Sequence, residues 1–193
     1  IKAEVIDEGE TVVPGKLFGE YLRKLTNEQL SLELNEKNQL RISYSDSEGF
    51  IQCMDVLEYP ELKNVDKIEY FEINRLALKN LINSVIFAVA VDDSRPILKG
   101  VLFEVNEQGI RAVALDGFRM AMANKPVINT TSDFSFIVPA RSLSEISKML
   151  DSDENVKVYV HPNNLMVDMN DTIITTRLLE GQFINYRQIL NSN

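Results

Sequence analysis

An internal repeat is the feature of this sequence that most restricts its fold. The stretch TVVPGKLFGEYLRKL at residues 11–25 resembles FIVPARSLSEISKML at residues 136–150, and in both a strand-like run ends in Val-Pro before a helix-like segment. Further along, NEKNQLRISYSD at residues 35–46 resembles VHPNNLMVDMND at residues 160–171, in the same order and at the same spacing. Self-similarity of this kind marks a structural unit that occurs more than once. The sequence therefore predicts two related units.

A second, weaker repeat divides the later unit into halves. The run YFEINRLALKNLINSV has the pattern of a strand and then a helix, and the hairpin pattern GVLFEVNEQGIRAVAL follows it. FSFIVPARSLSEISKML and VKVYVHPNNLMVDM have the same order. Residues 66–190 are thus predicted to form one complete unit of two halves, whereas residues 1–65 match only the second half of such a unit. Because residue 1 is Ile and residues 1–5 are already strand-like, we expect the sequence to begin inside a domain.

Hydrophobic periodicity predicts antiparallel sheet with few helices. Val156, Val158 and Val160 recur at the two-residue period of a half-buried strand. Turn-forming Asn, Gly and Pro separate such strands, as in NEQG and HPNN. Apolar residues at helical spacing predict helices over residues 14–25, 72–90 and 139–150. Together these patterns indicate an α+β repeat protein.

Composition is that of an ordinary globular protein, with 45% apolar and 25% charged residues. No apolar run approaches the ~18 residues of a membrane span, and Cys53 is the lone cysteine, so a reducing, cytoplasmic setting is expected. The net charge of −9 argues against general affinity for nucleic acid. The three predicted helices nevertheless carry a net charge of +4, which leaves −13 elsewhere. A basic lining with an acidic exterior suits a protein that surrounds a polyanion, although solvated helix faces commonly carry Lys and Arg without such a role.

The motifs that carry enzyme chemistry are absent from the sequence. It contains no phosphate-binding G-x-x-x-x-G-K-[ST] loop and no G-x-G-x-x-G after a strand. The single histidine, His161, lies in a predicted hairpin turn, and no His/Cys cluster offers metal ligands. The chain is therefore predicted to be no enzyme and to hold no cofactor and no metal. One alternative stays open, in which the Asp92-Asp93 loop serves an acidic α+β metal-dependent hydrolase or transferase.

Three ordered motifs resemble one protein family. SRPILKGVLFEV followed by RAVALDGFRMAM, then FIVPARSLSEISKML, then EGQFINYRQIL resemble the bacterial DNA polymerase III sliding clamp, the β subunit, at family spacing. The resemblance implies the DNA clamp fold, with tandem units of antiparallel sheet and two helices each on one face. It further implies that residues 1–65 are the second half of clamp domain 1, that residues 66–190 are the complete domain 2, and that residues 191–193 begin a linker to domain 3.

The resemblance also implies a function without catalysis. Members of the family are processivity factors of DNA replication that encircle duplex DNA without regard to its sequence and close into a homodimeric ring. Short peptides from the polymerase, the clamp loader and repair proteins dock in a hydrophobic pocket of these clamps. The matching pocket positions here are Leu98, Leu115, Gly117, Phe118, Arg119, Met120, Ile184 and Ile189. The matching DNA-facing positions are Arg95, Arg75, Lys79, Arg141, Lys148, Lys16, Arg23 and Lys24.

This sequence departs from the family pattern at three pocket positions, and each change makes the pocket more apolar. Leu115 stands for the usual Thr, Phe118 for His and Ile184 for Pro. Peptide preference is therefore expected to differ, and Phe118 is expected either to fill part of the pocket or to gate it. The alternative for Leu115 and Met120 is that both simply pack in the core.

Overall fold

The computed structural model of the chain describes residues 3–25, 29–59, 69–170 and 172–191. The chain divides into two compact units, Ile1–Lys63 (unit 1) and Asn64–Asn193 (unit 2). The predicted boundary between residues 65 and 66 lies outside the described residues, as do the last two residues of the predicted linker.

The described residues of unit 1 form a small three-stranded antiparallel sheet and one α-helix. The strand order is β1-β2-β3, and Leu40, Ile42, Ile51 and Cys53 form its core. Strand β1 (Ser31–Leu34) lies at the edge of this sheet, and all four of its residues are exposed. The elements are α1 (Gly15–Leu22), β1 (Ser31–Leu34), β2 (Gln39–Tyr44), β3 (Ser47–Gln52) and a 3-10 turn (Val56–Glu58).

Unit 2 contains two antiparallel sheets and two longer helices. One sheet has the strand order β12-β11-β10-β4-β8 and the other has the order β7-β6-β5-β9. In chain order, the elements are β4 (Glu69–Asn74), α2 (Arg75–Asn83), 3-10 turns (Ile86–Ala88 and Pro96–Lys99), β5 (Gly100–Asn106), β6 (Gly109–Leu115), β7 (Met120–Lys125), β8 (Asn129–Thr130), β9 (Phe134–Pro139), α3 (Ala140–Met149), β10 (Asn155–Val160), β11 (Asn164–Asp168), β12 (Ile173–Arg177) and α4 (Tyr186–Asn191).

The two halves of unit 2 exchange their first strands. Strand β4 of the first half pairs with β10 of the second, and β9 of the second half pairs with β5 of the first. Each sheet therefore contains strands from both halves, and neither half can complete its sheet alone.

The main core of unit 2 lies between the inner faces of both sheets and the two helices. Phe136 stacks on Phe103 with ring centroids 5.4 Å apart and on Phe71 of the other sheet at 6.2 Å. Each ring buries a large apolar area, and such offset aromatic pairs add to the stabilisation by burial. Helices α2 and α3 pack against each other, and the Ser147 hydroxyl donates a hydrogen bond to Asn83 Oδ1 at 2.9 Å.

The predicted repeat is confirmed by equivalent elements in the two units. In unit 1 the amide of Met54 donates to the carbonyl of Val12 at 2.8 Å, and in unit 2 the amide of Leu179 donates to the carbonyl of Ile137 at 2.9 Å. Both bonds close the chain back onto the strand-like segment that precedes the helix. The repeated sequence pattern therefore corresponds to the same local arrangement in each unit, although few residues are identical between the two repeats.

The predicted helix over residues 72–90 is too long. Glu72 and its neighbours belong to β4, and α2 begins at Arg75, where the Asn74 side chain accepts a hydrogen bond from the Ala77 amide at 3.1 Å. The helix ends at Asn83, and residues Ile86–Ala88 form a separate 3-10 turn. An Asn N-cap satisfies an orphan amide and favours a helix start, which the apolar periodicity across this junction concealed.

The structure contradicts the prediction that Arg75 faces DNA. Its side chain is buried, and its Nη2 donates to the carbonyl of Met169 at 2.9 Å, while Nη1 lies 3.0 Å from Glu154 Oε2 and 3.1 Å from Ser152 Oγ. The guanidinium therefore joins the start of α2 to the loop before β10 and to the end of β11. A cation engaged in this way is not available to a phosphate, so Arg75 leaves the DNA-facing set.

Replacing Arg75 with Ala is expected to lower the free energy of unfolding by about 3 kcal/mol, because buried acceptors lose their donor and the long side chain leaves a gap. The matched change Glu154→Gln, at a largely exposed carboxylate, is expected to cost less than about 1 kcal/mol. Urea unfolding of the two variants measures both values. Equal losses would contradict a specific role for the buried guanidinium.

Candidate functional site

A second apolar cluster lies on the outer face of the β7-β6-β5-β9 sheet. Side chains alternate along a strand, so the inward packing of Phe103 and Ala112 turns Leu102 and Val113 outward. The register then places Ile137, Leu102, Val113 and Met122 in one row across the four strands. We call the apolar residues that pack together on this face the outer cluster. Its buried members are Ala90, Leu98, Leu102, Val113, Leu115, Ile137 and Tyr186, and its partly buried members are Ile97, Met120, Leu179, Phe183 and Ile184.

The outer cluster brings together four of the eight predicted pocket residues. Leu98 and Leu115 are buried within it, while Met120 and Ile184 pack against it and remain partly accessible. Leu115 and Met120 face each other directly in the register of β6 and β7. Leu115 is only 3% exposed, which agrees with the alternative that this residue packs in the core.

The turn after β6 presents Phe118 to solvent on a fixed backbone. The Asp116 carboxylate accepts hydrogen bonds from the amides of Phe118 at 2.9 Å and Arg119 at 3.0 Å, and Arg119 Nε lies 3.0 Å from its second oxygen. Gly117 has φ +96°, a conformation that L side chains rarely adopt. Phe118 is completely exposed, so its ring does not fill the outer cluster, contrary to one of the two expectations.

Cationic side chains flank this turn. The Arg119 guanidinium lies over the ring of Phe87, 5.8 Å from the centroid, in cation–π geometry. A Cβ on Gly117 would lie 3.8 Å from Nη1 of Arg95. The predicted pocket position Arg119 is thus held by Asp116 on one side and by an aromatic face on the other, and the predicted DNA-facing Arg95 lies beside the same turn.

Ile189 lies apart from the outer cluster. It is on α4, three residues after the buried Tyr186, and it is 46% exposed. A depression of about 940 Å³ lies along the segment that leads to α4. Phe183 and Tyr186 of the outer cluster help to line this depression.

The predicted DNA-facing residues other than Arg75 are all at least partly accessible. In unit 2, Arg141 and Lys148 are exposed on α3 and Lys79 is half-buried on α2, on helices whose apolar faces point into the main core. Lys148 is paired with Glu145 at 2.8 Å, an exposed contact within the same helix. In unit 1, Lys16 is exposed on α1, and the exposed Arg23 and Lys24 follow the end of that helix.

The acidic loop does not support a metal-dependent active site. The Asp92 carboxylate accepts hydrogen bonds from the amide and hydroxyl of Ser94, and these bonds lower its pKa, while Asp93 pairs with Lys99. Among the described residues, no group of three or more His, Cys, Asp or Glu side chains is arranged to hold a metal ion. Within the same residues, no helix is both long and apolar enough to cross a membrane.

Comparison with known proteins gives the family. Residues 72–185 match the family described as DNA polymerase III beta subunit, central domain. The chain belongs to the DNA polymerase III beta subunit family. The matched segment contains Leu98, Leu115, Met120 and Ile184, which are the four pocket positions that the outer cluster unites.

Individual relatives extend the similarity over almost the whole chain. The beta sliding clamp of Halalkalibacterium halodurans is 30% identical over 184 residues, which are 93% of this chain and 48% of that protein. The beta sliding clamp of Staphylococcus epidermidis is 28% identical over 191 residues, 98% of this chain and 51% of its own length. The chain therefore spans about half the length of the curated relatives it matches.

Solved structures confirm the predicted fold class. The DNA polymerase sliding clamp of Bacillus subtilis superposes with a TM-score of 0.88 at 26% identity, over 97% of this chain and 52% of that one. The DNA polymerase III beta subunit of Thermotoga maritima gives 0.86 at 28% identity, over 97% and 51%. The clamp fold of antiparallel sheets and helices, and the resemblance drawn from the three motifs, are both confirmed.

Several residues of the outer cluster were not found from the sequence. Leu102, Val113, Ile137 and Tyr186 were not among the predicted pocket positions, although the runs GVLFEV and IRAVAL carried a usable signal. A strand with apolar residues at nearly every position is buried on both faces, which predicts a second apolar layer on its outer side.

The turn at Asp116 yields a pH-dependent prediction. Hydrogen bonds from the amides of Phe118 and Arg119, and then the Arg119 side chain, hold the pKa of the Asp116 carboxyl below its ordinary value of 3.8. Because the folded-state pKa is depressed, the contribution of this carboxylate to stability is present above pH 3.8 and is lost as the pH falls through the folded-state value.

An NMR titration of the Asp116 carboxyl carbon is expected to give a midpoint below 3.8 in the folded chain. The variant Arg119→Gln is expected to raise this midpoint only part of the way to 3.8, because the two backbone donors remain. A complete return to 3.8 in this variant would mean that the arginine, and not the turn backbone, controls the pKa.

Proposed function

We propose that this chain is the part of a DNA sliding clamp that carries the surface for partner peptides. The complete protein would encircle duplex DNA without sequence preference as a homodimeric ring and act as a processivity factor. It would tether the polymerase, the clamp loader and repair proteins, and it would have no catalytic activity of its own. Membership of the beta subunit family supports this function, and a cytoplasmic location follows from it.

One observation carries the proposal. Three separated stretches of the chain converge in the outer cluster, and they contribute Leu98, then Leu115 with Met120, and then Ile184. The turn beside them exposes the whole ring of Phe118. A single exposed aromatic side chain is ordinary, but accessible apolar side chains that lie close to one another are typical of interaction sites. Gly117, Arg119 and Ile189 complete the proposed surface.

The chemistry of this surface suits short apolar peptides. Burial of one Leu or Phe side chain of a peptide contributes about 1.5–3 kcal/mol. The cost of ordering the peptide offsets part of that gain, so affinities in the micromolar range are expected. Met120 and Met122 add side chains that can repack around different anchors, which suits a surface that serves several partners.

The proposed DNA contacts are few and electrostatic. Arg95, Lys79, Arg141 and Lys148 in unit 2 would approach phosphates, together with Lys16, Arg23 and Lys24 in unit 1. The net charge of −9 makes tight non-specific binding unfavourable, which suits a protein that is retained on DNA by encircling it. In this assignment, residues 1–65 are the second half of clamp domain 1, residues 66–190 are domain 2 and residues 191–193 begin a linker.

The peptide surface is tested by an exposed isoleucine. Ile189→Ser is expected to weaken binding of a fluorescein-labelled Ser/Gly nonapeptide with central Leu and Phe residues about five- to tenfold, because one apolar wall is lost. Ile128→Ser changes a similarly exposed isoleucine outside the proposed surface and is the matched control. Fluorescence anisotropy measures both affinities. An equal effect of the two variants, or no effect of Ile189→Ser, would count against the assignment.

The DNA contacts are tested by salt dependence. The chain is expected to bind a 20-base-pair duplex only weakly, and Arg141→Gln is expected to reduce the slope of log K against log salt by about 1. Arg177→Gln removes an exposed arginine from the sheet instead of a helix and is expected to leave the slope unchanged. A larger effect of Arg177→Gln would place the DNA on the sheet side.

A further inference from the structure

One side chain anchors the C-terminal segment of unit 2 to the sheet. Among residues 178–190, all of which the structure describes, Tyr186 alone is buried, with 2% of its surface exposed. Its ring packs in the outer cluster with residues that include Leu98, Leu102 and Leu115. The segment is also attached where it leaves β12, through hydrogen bonds from the amides of residues 178 and 179. Residues 178–190 are therefore attached to the sheet near their start by these backbone bonds and near their end by Tyr186, while their other side chains are exposed or half-buried.

The hydroxyl of Tyr186 is at the centre of a charged hydrogen-bond network. It donates to Glu104 Oε2 at 2.5 Å, and the other oxygen of this carboxylate accepts from Arg187 Nη2 at 2.8 Å. Arg111 Nη1 approaches the hydroxyl at 3.5 Å, and the Arg187 guanidinium lies over the Tyr186 ring, 5.1 Å from its centroid. Hydrogen bonds to a charged acceptor are the stronger kind, so this contact ties the start of α4 to β5 and β6.

The surroundings of Tyr186 and Arg111 keep both side chains protonated, as these hydrogen bonds require. Burial and the hydrogen bond to Glu104 raise the pKa of Tyr186, so the phenol remains a donor at neutral pH. The hydrogen bond that Arg111 donates to the Tyr186 hydroxyl, and the charge of Glu104, raise the pKa of Arg111, which remains a cation.

The position of Tyr186 links this network to the proposed peptide surface. Ile184 lies two residues before it, and Ile189 lies three residues after it on α4. Both isoleucines would shift relative to Leu115 and Met120 if the start of α4 moved.

We infer that Tyr186, held by Glu104, is a positioning residue that sets the shape of the peptide surface through the placement of Ile184 and Ile189. The inference rests on the proposed function, because it requires that a peptide bind there. Tyr186 itself is almost wholly buried and would act through its neighbours and not by touching the ligand.

The test compares Tyr186→Phe with the matched variant Tyr70→Phe. The first change keeps the buried ring and removes the hydrogen bond to Glu104. The second removes a tyrosine hydroxyl that accepts a hydrogen bond from Asn129 on the other sheet. Three quantities are measured on the 193-residue chain: affinity for the Leu/Phe nonapeptide, hydrogen exchange of residues 182–190, and the urea midpoint.

Tyr186→Phe is expected to weaken peptide binding about tenfold and to speed exchange in residues 182–190, with exchange in β4 and β10 unchanged. Tyr70→Phe is expected to change none of these. Glu104→Gln keeps both the ring and the hydroxyl and removes only the charge of the acceptor. It is expected to act in the same direction as Tyr186→Phe, and it provides the test if that variant does not fold.

Unaltered peptide affinity in Tyr186→Phe or, where that variant does not fold, in Glu104→Gln would overturn the positioning role, whether or not exchange of the segment is faster. A loss of affinity that only follows a lowered urea midpoint, with uniform exchange across unit 2, would also overturn it, because the role would then be one of general stability. An unmodified chain that does not bind the nonapeptide would instead refute the proposed peptide surface itself, and the two failures are therefore distinguishable.

Discussion

The exchange of first strands between the two halves of unit 2 is the interaction on which the rest of the structure depends. Strand β4 completes the sheet of the second half and β9 completes the sheet of the first, so both sheets form only when both halves are folded. The stack of Phe71, Phe136 and Phe103 lies between the sheets at this point. Long-range pairing of this kind carries a loop-closure cost that burial of a single large core must offset.

This arrangement leaves the outer face of the β7-β6-β5-β9 sheet available for a second use. The main core takes one side of the strands, and the outer cluster takes the other, with the C-terminal segment laid across it. A surface that rests on a four-stranded sheet is more rigid than one built on loops alone, which favours repeatable binding geometry. The turn at Asp116 adds an exposed aromatic side chain without losing this rigidity, because the carboxylate holds the backbone beneath it.

Where sequence reasoning failed, a local pattern was overridden by a tertiary contact. The apolar spacing over residues 72–90 continued through a strand, a helix and a 3-10 turn, because all three pack on one core and share an apolar side. An arginine is usually a surface residue, so the sequence favoured an exposed Arg75. Its hydrogen-bond acceptors lie within residues 152–169, far along the chain, and no local pattern reveals them. Tyr186 was part of a recognised motif, but nothing in the motif reveals that Glu104 accepts its hydrogen bond.

The sequence by itself determined the repeat, the α+β class, the family and the positions of most strands, because strand period, turn residues and motif spacing are properties of neighbouring residues. Only the tertiary structure decided that Leu98, Leu115, Met120 and Ile184 meet on one face, that Phe118 is fully exposed, and that Arg75 is buried. These outcomes depend on which strands pair and in what register, and a shift of one residue would send every side chain of a strand to the opposite face.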